Sequence, residues 1–236
     1  MPDQITHARV VRTTALTKHL LHVILAPEPY IDYEAGQYLQ LISEPHALSY
    51  SIANAPNASR TYELHIRHGH DTPGNERLLH EMTLQSLVTL RMPLGQCTLR
   101  ALDPIKPILF IAGGTGFAPI KAMIEQLLMD GQTRAVMLYW NARTADDLYM
   151  DDLARVWEKQ APWFTYCSRR SETNKESIPS LVIKHRVSDL RDWQIVLAGP
   201  FDMVYTLRDE LVAHGVSASQ LYSDAFAFEA KPSPGV

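Results

Sequence analysis

Two textures of apolar spacing divide the chain. Up to about residue 101 the apolar positions fall in short runs and alternations. In Tyr62–Arg67, for example, Tyr62, Leu64 and Ile66 share one face and Glu63, His65 and Arg67 the other. This texture predicts strands at His7–Thr14, Leu20–Ala26, Gln37–Ser43, Leu48–Ala53, Tyr62–Arg67, Leu87–Met92 and Cys97–Leu99, interrupted by a helical stretch at Asn75–Met82. Pro27-Glu28-Pro29 and Asn54-Ala55-Pro56-Asn57 break it into short pieces, as a small antiparallel β-barrel requires.

After Asp103-Pro104-Ile105-Lys106-Pro107, continuous apolar runs alternate with helical periodicity, which predicts a parallel sheet. Strands are expected at Ile108–Ala112, Ala135–Trp140, Phe164–Cys167, Gln194–Ala198 and Gln220–Ser223. Helices are expected at Phe117–Asp130, Tyr149–Gln160, Ile178–Arg186 and Phe201–His214. The fold class is therefore two-domain: an antiparallel barrel over residues 1–103, then a doubly wound α/β domain over 104–228, with a loose tail at 229–236.

The chain is organised around Ile108–Met123. An apolar strand runs into Gly113-Gly114-Thr115-Gly116, and a helix follows with Phe117, Ile120, Ile124, Leu127 and Leu128 on one face and Lys121, Glu125 and Gln126 off it. Strand, glycine turn and helix in that order gather unpartnered N–H groups and a positive dipole end, which suits a pyrophosphate. A tight structural turn is the alternative, because Pro119 stands where the usual dinucleotide fingerprint has a third glycine.

Composition adds limits. At 236 residues, 46% hydrophobic and 20% charged, the chain has room for two modest cores. A net charge of −4 without a basic block argues against nucleic acid, and no apolar run approaches a membrane span. The start shows no secretion signal, so a cytoplasmic location is expected. Cys97 and Cys167 stand far apart, which leaves no in-chain four-cysteine cluster and no disulfide framework. His65, His68 and His70 have a spacing that opposes His65 and His68 across a strand, so no metal site is expected.

GGTGFAP at Gly113–Pro119 resembles the pyridine-nucleotide segment of the ferredoxin–NADP reductase superfamily, above all its small NAD(P)H:flavin oxidoreductase branch. Ala35-Gly36-Gln37-Tyr38-Leu39 is similar to the family's "AGQY" strand, and Tyr50-Ser51-Ile52-Ala53 to the end of its flavin motif R-x-[YF]-S. Ala198-Gly199-Pro200-Phe201-Asp202-Met203 is similar to its "GP-x-x-M" turn, and Ser223–Phe228 to the ending of the flavin-reductase branch. These segments follow the family's order and span nearly the whole chain.

The resemblance implies an NAD(P)H-dependent flavin reductase in which hydride passes from nicotinamide to flavin. The cofactors carry that reaction, and the protein stacks and orients two rings. Tyr50 and Ser51 are the candidate catalytic pair, the serine meeting flavin N5; an ordinary strand pair is the alternative. The candidate cofactor residues are Tyr50, Ser51, Ile52, His65, Arg67, Gly74, Gly113, Gly114, Thr115, Gly116, Phe117, Arg143, Ser168, Arg169, Gly199, Pro200 and Phe228. Ser168 and Arg169, directly after a strand, would select NADPH over NADH through its 2′-phosphate, or form a solvated basic corner. Phe226 and Phe228 are core anchors or a lid over the flavin.

Two positions depart from the family pattern. Leu48 stands where the motif has arginine, and Ala198 where a cysteine often precedes the glycine-proline. Without that arginine, FMN, riboflavin or FAD is expected to be a loosely held substrate, unless Arg67 or Arg77 substitutes and Gly74-Asn75 holds a phosphate. A flavin-dependent acceptor enzyme is the expected partner. The alternatives are a flavin-retaining reductase for a separate iron–sulfur or haem protein, and a nucleotide-binding module without turnover.

Overall fold

The computed structural model describes residues 2–43, 45–69, 73–85, 87–173 and 190–228. The helix expected at Ile178–Arg186, His70 and the tail 229–236 lie outside the described residues.

The first half forms a six-stranded antiparallel sheet from β1 (Gln4–Thr17), β2 (Leu20–Glu28), β3 (Tyr38–Ser43), β4 (His46–Ser51), β5 (Tyr62–Arg67) and β6 (Leu87–Leu94). The strand order is β4-β3-β6-β1-β2-β5. Among the described residues no ladder joins the outer strands β4 and β5, so the small antiparallel barrel is not closed by strand pairing. The alternation of Tyr62–Arg67 holds: Tyr62, Leu64 and Ile66 enter a core with Leu25, Leu39, Leu41 and Leu90. Helix α1 (Pro73–Gln85) precedes β6, somewhat longer than the periodicity predicts.

The expected strand at Cys97–Leu99 is absent; a bend and the 3₁₀ turn Leu99–Ala101 take its place. The reason is a carboxylate far along the chain. Asp224 Oδ1 accepts the N–H groups of Gln96 at 2.8 Å and Cys97 at 3.0 Å, which removes them from any ladder.

The second half forms a parallel sheet ordered β11-β10-β7-β8-β9. Its strands are β7 (Ile108–Gly113), β8 (Val136–Ala142), β9 (Phe164–Arg170), β10 (Gln194–Ala198) and β11 (Leu221–Tyr222). Helices α2 (Phe117–Met129), α3 (Asp151–Gln160) and α4 (Phe201–Ala213) cover it. The central β7 is buried at every residue, as its continuous apolar run requires. Strand β9 runs on to Arg170, so Ser168 and Arg169 belong to the strand rather than to the turn after it.

The two halves meet on α2. Its apolar face packs on the parallel sheet, but Lys121, expected off that face and in water, is only 5% exposed. Lys121 Nζ donates to Ala53 O at 2.9 Å and lies 2.7 Å from Glu125 Oε1 and 3.4 Å from Glu63 Oε2. The Ala55 N–H donates to Glu125 Oε2 at 3.1 Å. Helix α2 is thus covered on both sides, and a charged group serves as the strut between the sheets.

Candidate active site

The parallel sheet fixes where a ligand can sit. From β7 the chain proceeds to β8 and β9 on one side, then returns to β10 and β11 on the other. The carboxyl ends of β7 and β10 therefore lie at the topological switch point, the usual ligand crevice of such sheets. Ala112 pairs with Ala198 there, so the turns Gly113–Gly116 and Gly199-Pro200 stand side by side. A Cβ on Gly116 would collide with the Ala198 carbonyl, and one on Gly113 with the Met203 side chain. These two glycines serve close turn-to-turn packing, while Gly114 holds a left-handed φ of 52° with open space around it.

Between β7 and α2 the chain makes a 3₁₀ turn, Gly114–Gly116. The Phe117 N–H returns to the carbonyls of Gly114 and Thr115, and the Phe117 ring stacks on Trp140 at 3.8 Å. Trp140 Nε1 in turn donates to Gly114 O at 3.0 Å. Phe117 thus anchors the turn. Ile52 lies outside the cavity between the two sheets: its side chain is fully buried and its N–H donates to Gln37 O.

A cavity of about 530 Å³ opens between the sheets, within the size range of small-molecule sites. From the antiparallel side it receives Tyr50, Ser51 and His65; from the parallel side it receives Thr115, Gly116, Gly199, Pro200 and Phe228. Eight of the candidate residues are thus brought together from positions 50 to 228. Gly36, Tyr38, Cys97, Met123 and Asp224 also line it. Gly36, Tyr38 and Asp224 lie in segments quoted for the family resemblance, though none of them is among the candidate residues.

The hydrogen bonds divide the lining. Tyr50 Oη donates to Asn75 Oδ1 at 2.7 Å, and Asn75 Nδ2 donates to Arg67 O at 2.7 Å. Burial pushes the Tyr50 phenol pKa up, so the ring stays neutral. Ser51 Oγ and Thr115 Oγ1, in contrast, make no hydrogen bond among the described residues. His65 Nδ1 lies 2.9 Å from Tyr149 Oη, and His65 Nε2 is buried with no partner among the described residues. A neutral ring, two uncommitted hydroxyls and glycine-bared backbone suit a planar heterocycle with a polar edge. That donor set fits flavin and nicotinamide.

The remaining candidates lie outside this cavity. Arg67 Nη2 donates to Asp147 Oδ1 at 3.2 Å and lines a small recess with Gly114, Thr115 and Tyr149. Gly74 is exposed at the start of α1 beside Leu48, and the Asn75 side chain is committed to Tyr50. Arg143, 3.8 Å from Asp147, is largely exposed. Arg169 Nη1 donates to Asn141 Oδ1 at 2.8 Å, and Ser168 Oγ accepts from Arg155 at 3.4 Å. Asn141, Ser168 and Arg169 lie in the last residues of β8 and β9, and Arg143 directly follows β8. Phe228 stacks on Phe201 at 5.7 Å beside the cavity, whereas Phe226 packs on the core around Leu109 and Val204.

The profile of the oxidoreductase NAD-binding domain family matches residues 110–209, the segment containing both glycine turns. A CDP-6-deoxy-L-threo-D-glycero-4-hexulose-3-dehydrase reductase from Yersinia pestis is 32% identical over 212 residues, 88% of this chain and 64% of that protein. The chain thus spans less than two thirds of that relative. A probable flavin reductase from Vibrio harveyi is 29% identical, covering 90% of this chain and 95% of that one. A ferredoxin NADP⁺ reductase from Neisseria gonorrhoeae, with bound FAD and NADP, superposes with a TM-score of 0.78 over 93% of this chain and 97% of its own, at 16% identity. Residues 110–209 thus match the oxidoreductase NAD-binding domain family, and the fold of the whole chain is that of the ferredoxin NADP⁺ reductase structure. The flavin-reductase relative matches this chain along nearly its full length. Among the described residues no helix is long and apolar enough to cross a membrane.

Proposed function

We propose that this chain is an NAD(P)H-dependent flavin reductase, with residues 1–103 receiving the flavin and 104–228 the pyridine nucleotide. When bound, the two compounds supply the chemistry, a hydride passing from nicotinamide C4 to flavin N5. The observation that carries the reading is the shared cavity. Tyr50 and Ser51 line it from one sheet, and Thr115 and Gly199-Pro200 from the other.

Tyr50 offers a neutral face for the flavin, held in place by Asn75. Ser51 Oγ is free to bond a ring nitrogen and orient it. The glycine turns let the nicotinamide approach the backbone, and Thr115 meets the nucleotide's phosphates. Arg169 and Ser168, with Arg143 nearby, receive its far end and favour NADPH. Leu48, in place of an arginine, leaves flavin phosphate without a charged partner at that point. Flavin is accordingly a substrate, reduced and released to a flavin-using acceptor.

A second reading has one supporting observation. The 32% identical relative carries the name of a dehydrase reductase, so a retained flavin feeding a separate protein remains the competing assignment. The visible spectrum of the purified protein, followed by NADPH oxidation with and without added FMN, separates the two. A colourless protein that oxidises NADPH only with added flavin supports free-flavin reduction. A yellow protein that needs an electron acceptor but no added flavin supports the second reading. No oxidation under any condition contradicts both.

A further inference from the structure

The face of β5 opposite its core carries three polar side chains, and two of them find charged partners on the second half of the molecule. Glu63 meets Lys121, and Arg67 meets Asp147. His65, between them and 5% exposed, uses only one ring nitrogen among the described residues, on Tyr149 Oη, while it also lines the cavity. Buried polar atoms are almost always paired, so an orphan nitrogen in a ligand cavity is a place held for a ligand atom.

The bond to Tyr149 decides what that nitrogen offers. Burial keeps the Tyr149 phenol protonated. Burial first, then the nearby Lys121 and His22 charges, holds the imidazole pKa at about 3, so the ring is neutral. One of the two groups must donate to the other. Tyr149 stands edge-on to Phe117 and Trp140, which offer its proton no oxygen or nitrogen. If Nδ1 donated, the Tyr149 proton would be left without an acceptor among the described residues, whether or not a ligand is present. If Tyr149 donates, the only unmatched group is an Nε2–H, and a ligand oxygen removes the mismatch.

We propose that Tyr149 fixes His65 in its Nε2–H form and that this N–H donates to a ring carbonyl of the flavin lying against Tyr50 and Ser51. The assignment rests on the flavin reading above. It makes His65 a specificity residue for carbonyl-bearing heterocycles and Tyr149 a positioning residue acting through it.

Histidine-labelled full-length protein tests this by long-range ¹⁵N–¹H correlation. The expected spectrum shows His65 as the neutral Nε2–H form, with the Nε2–H proton shifting when FMN is added. An Nδ1–H pattern, or a signal unmoved at saturating FMN, overturns the proposal. Fluorescence titration supplies the second arm. His65→Ala should weaken FMN roughly tenfold and leave NADP⁺ affinity unchanged. Tyr149→Phe, which keeps the ring packing, should weaken FMN less and mix the two tautomers. Loss confined to NADP⁺, or unchanged FMN affinity in His65→Ala, overturns this proposal alone. Failure of the unaltered protein to bind FMN removes the flavin reading and this one together.

Discussion

The two walls of the cavity are made differently. The parallel-sheet wall is built from missing side chains: Gly113 and Gly116 let two turns touch, and their backbone forms the surface. The antiparallel wall is built from side chains held by distant partners, Tyr50 by Asn75 and His65 by Tyr149. A wall of the first kind fails by adding an atom and a wall of the second by removing one. Lys121 ties the two together without touching the cavity.

The largest effect should come from cutting that tie. Lys121→Met leaves Glu63 and Glu125 facing each other half-buried, and should cost about 3 kcal/mol in urea unfolding. A cost near zero would mean that the sheets hold together without the strut. The same group gives a pH signature. The His22 hydrogen bond, followed by the Lys121 charge, lowers the Glu63 pKa from 4.5 to about 2. Its contribution is present above pH 4.5 and is lost as pH falls toward 2, so stability should decline across that interval. Lys121→Met should flatten the decline.

Next in size is the contrast between the walls. Gly116→Ala should lower stability by roughly 1–3 kcal/mol and abolish nucleotide-dependent turnover, because the new methyl meets the Ala198 carbonyl. Ser51→Ala should leave stability within roughly 0.5 kcal/mol of the original and slow flavin reduction about tenfold. Equal stability losses in the two variants, measured by thermal unfolding, would erase the distinction.

Leu48→Arg sharpens the side-chain wall by restoring a charged donor beside Gly74. It should tighten FMN roughly ten- to a hundredfold in a fluorescence titration, with a smaller gain for riboflavin. The smallest effect concerns the rim. Arg169→Ala should raise KM for NADPH several-fold over that for NADH, about what one exposed charge-assisted contact supplies. An equal change for both would remove the 2′-phosphate assignment.

The backbone wall was the more legible of the two in sequence. Ile108–Ala112 is a contiguous apolar run and Gly113–Gly116 follows at once, so strand, turn and helix start can be read within a few residues. The side-chain wall depends on contacts no local pattern encodes. Tyr149 reaches His65 across 84 positions, and Asp224 takes the Cys97 N–H, the first donor of the strand expected at Cys97–Leu99, from 127 positions away. Lys121 reads as a solvated helix position because periodicity registers only the sheet beneath α2. The second cover comes from the other half of the chain. Whether the outer strands of the antiparallel unit pair is equally hidden, since strand count does not decide it.

The central claim is that both rings meet in the one cavity. A crystal structure with FMN and NADP⁺ bound together tests it most directly. The expected result is the isoalloxazine against Tyr50 and Ser51 with the nicotinamide beside Gly199-Pro200, in van der Waals contact. Rings in separate pockets, with protein between them, would contradict it.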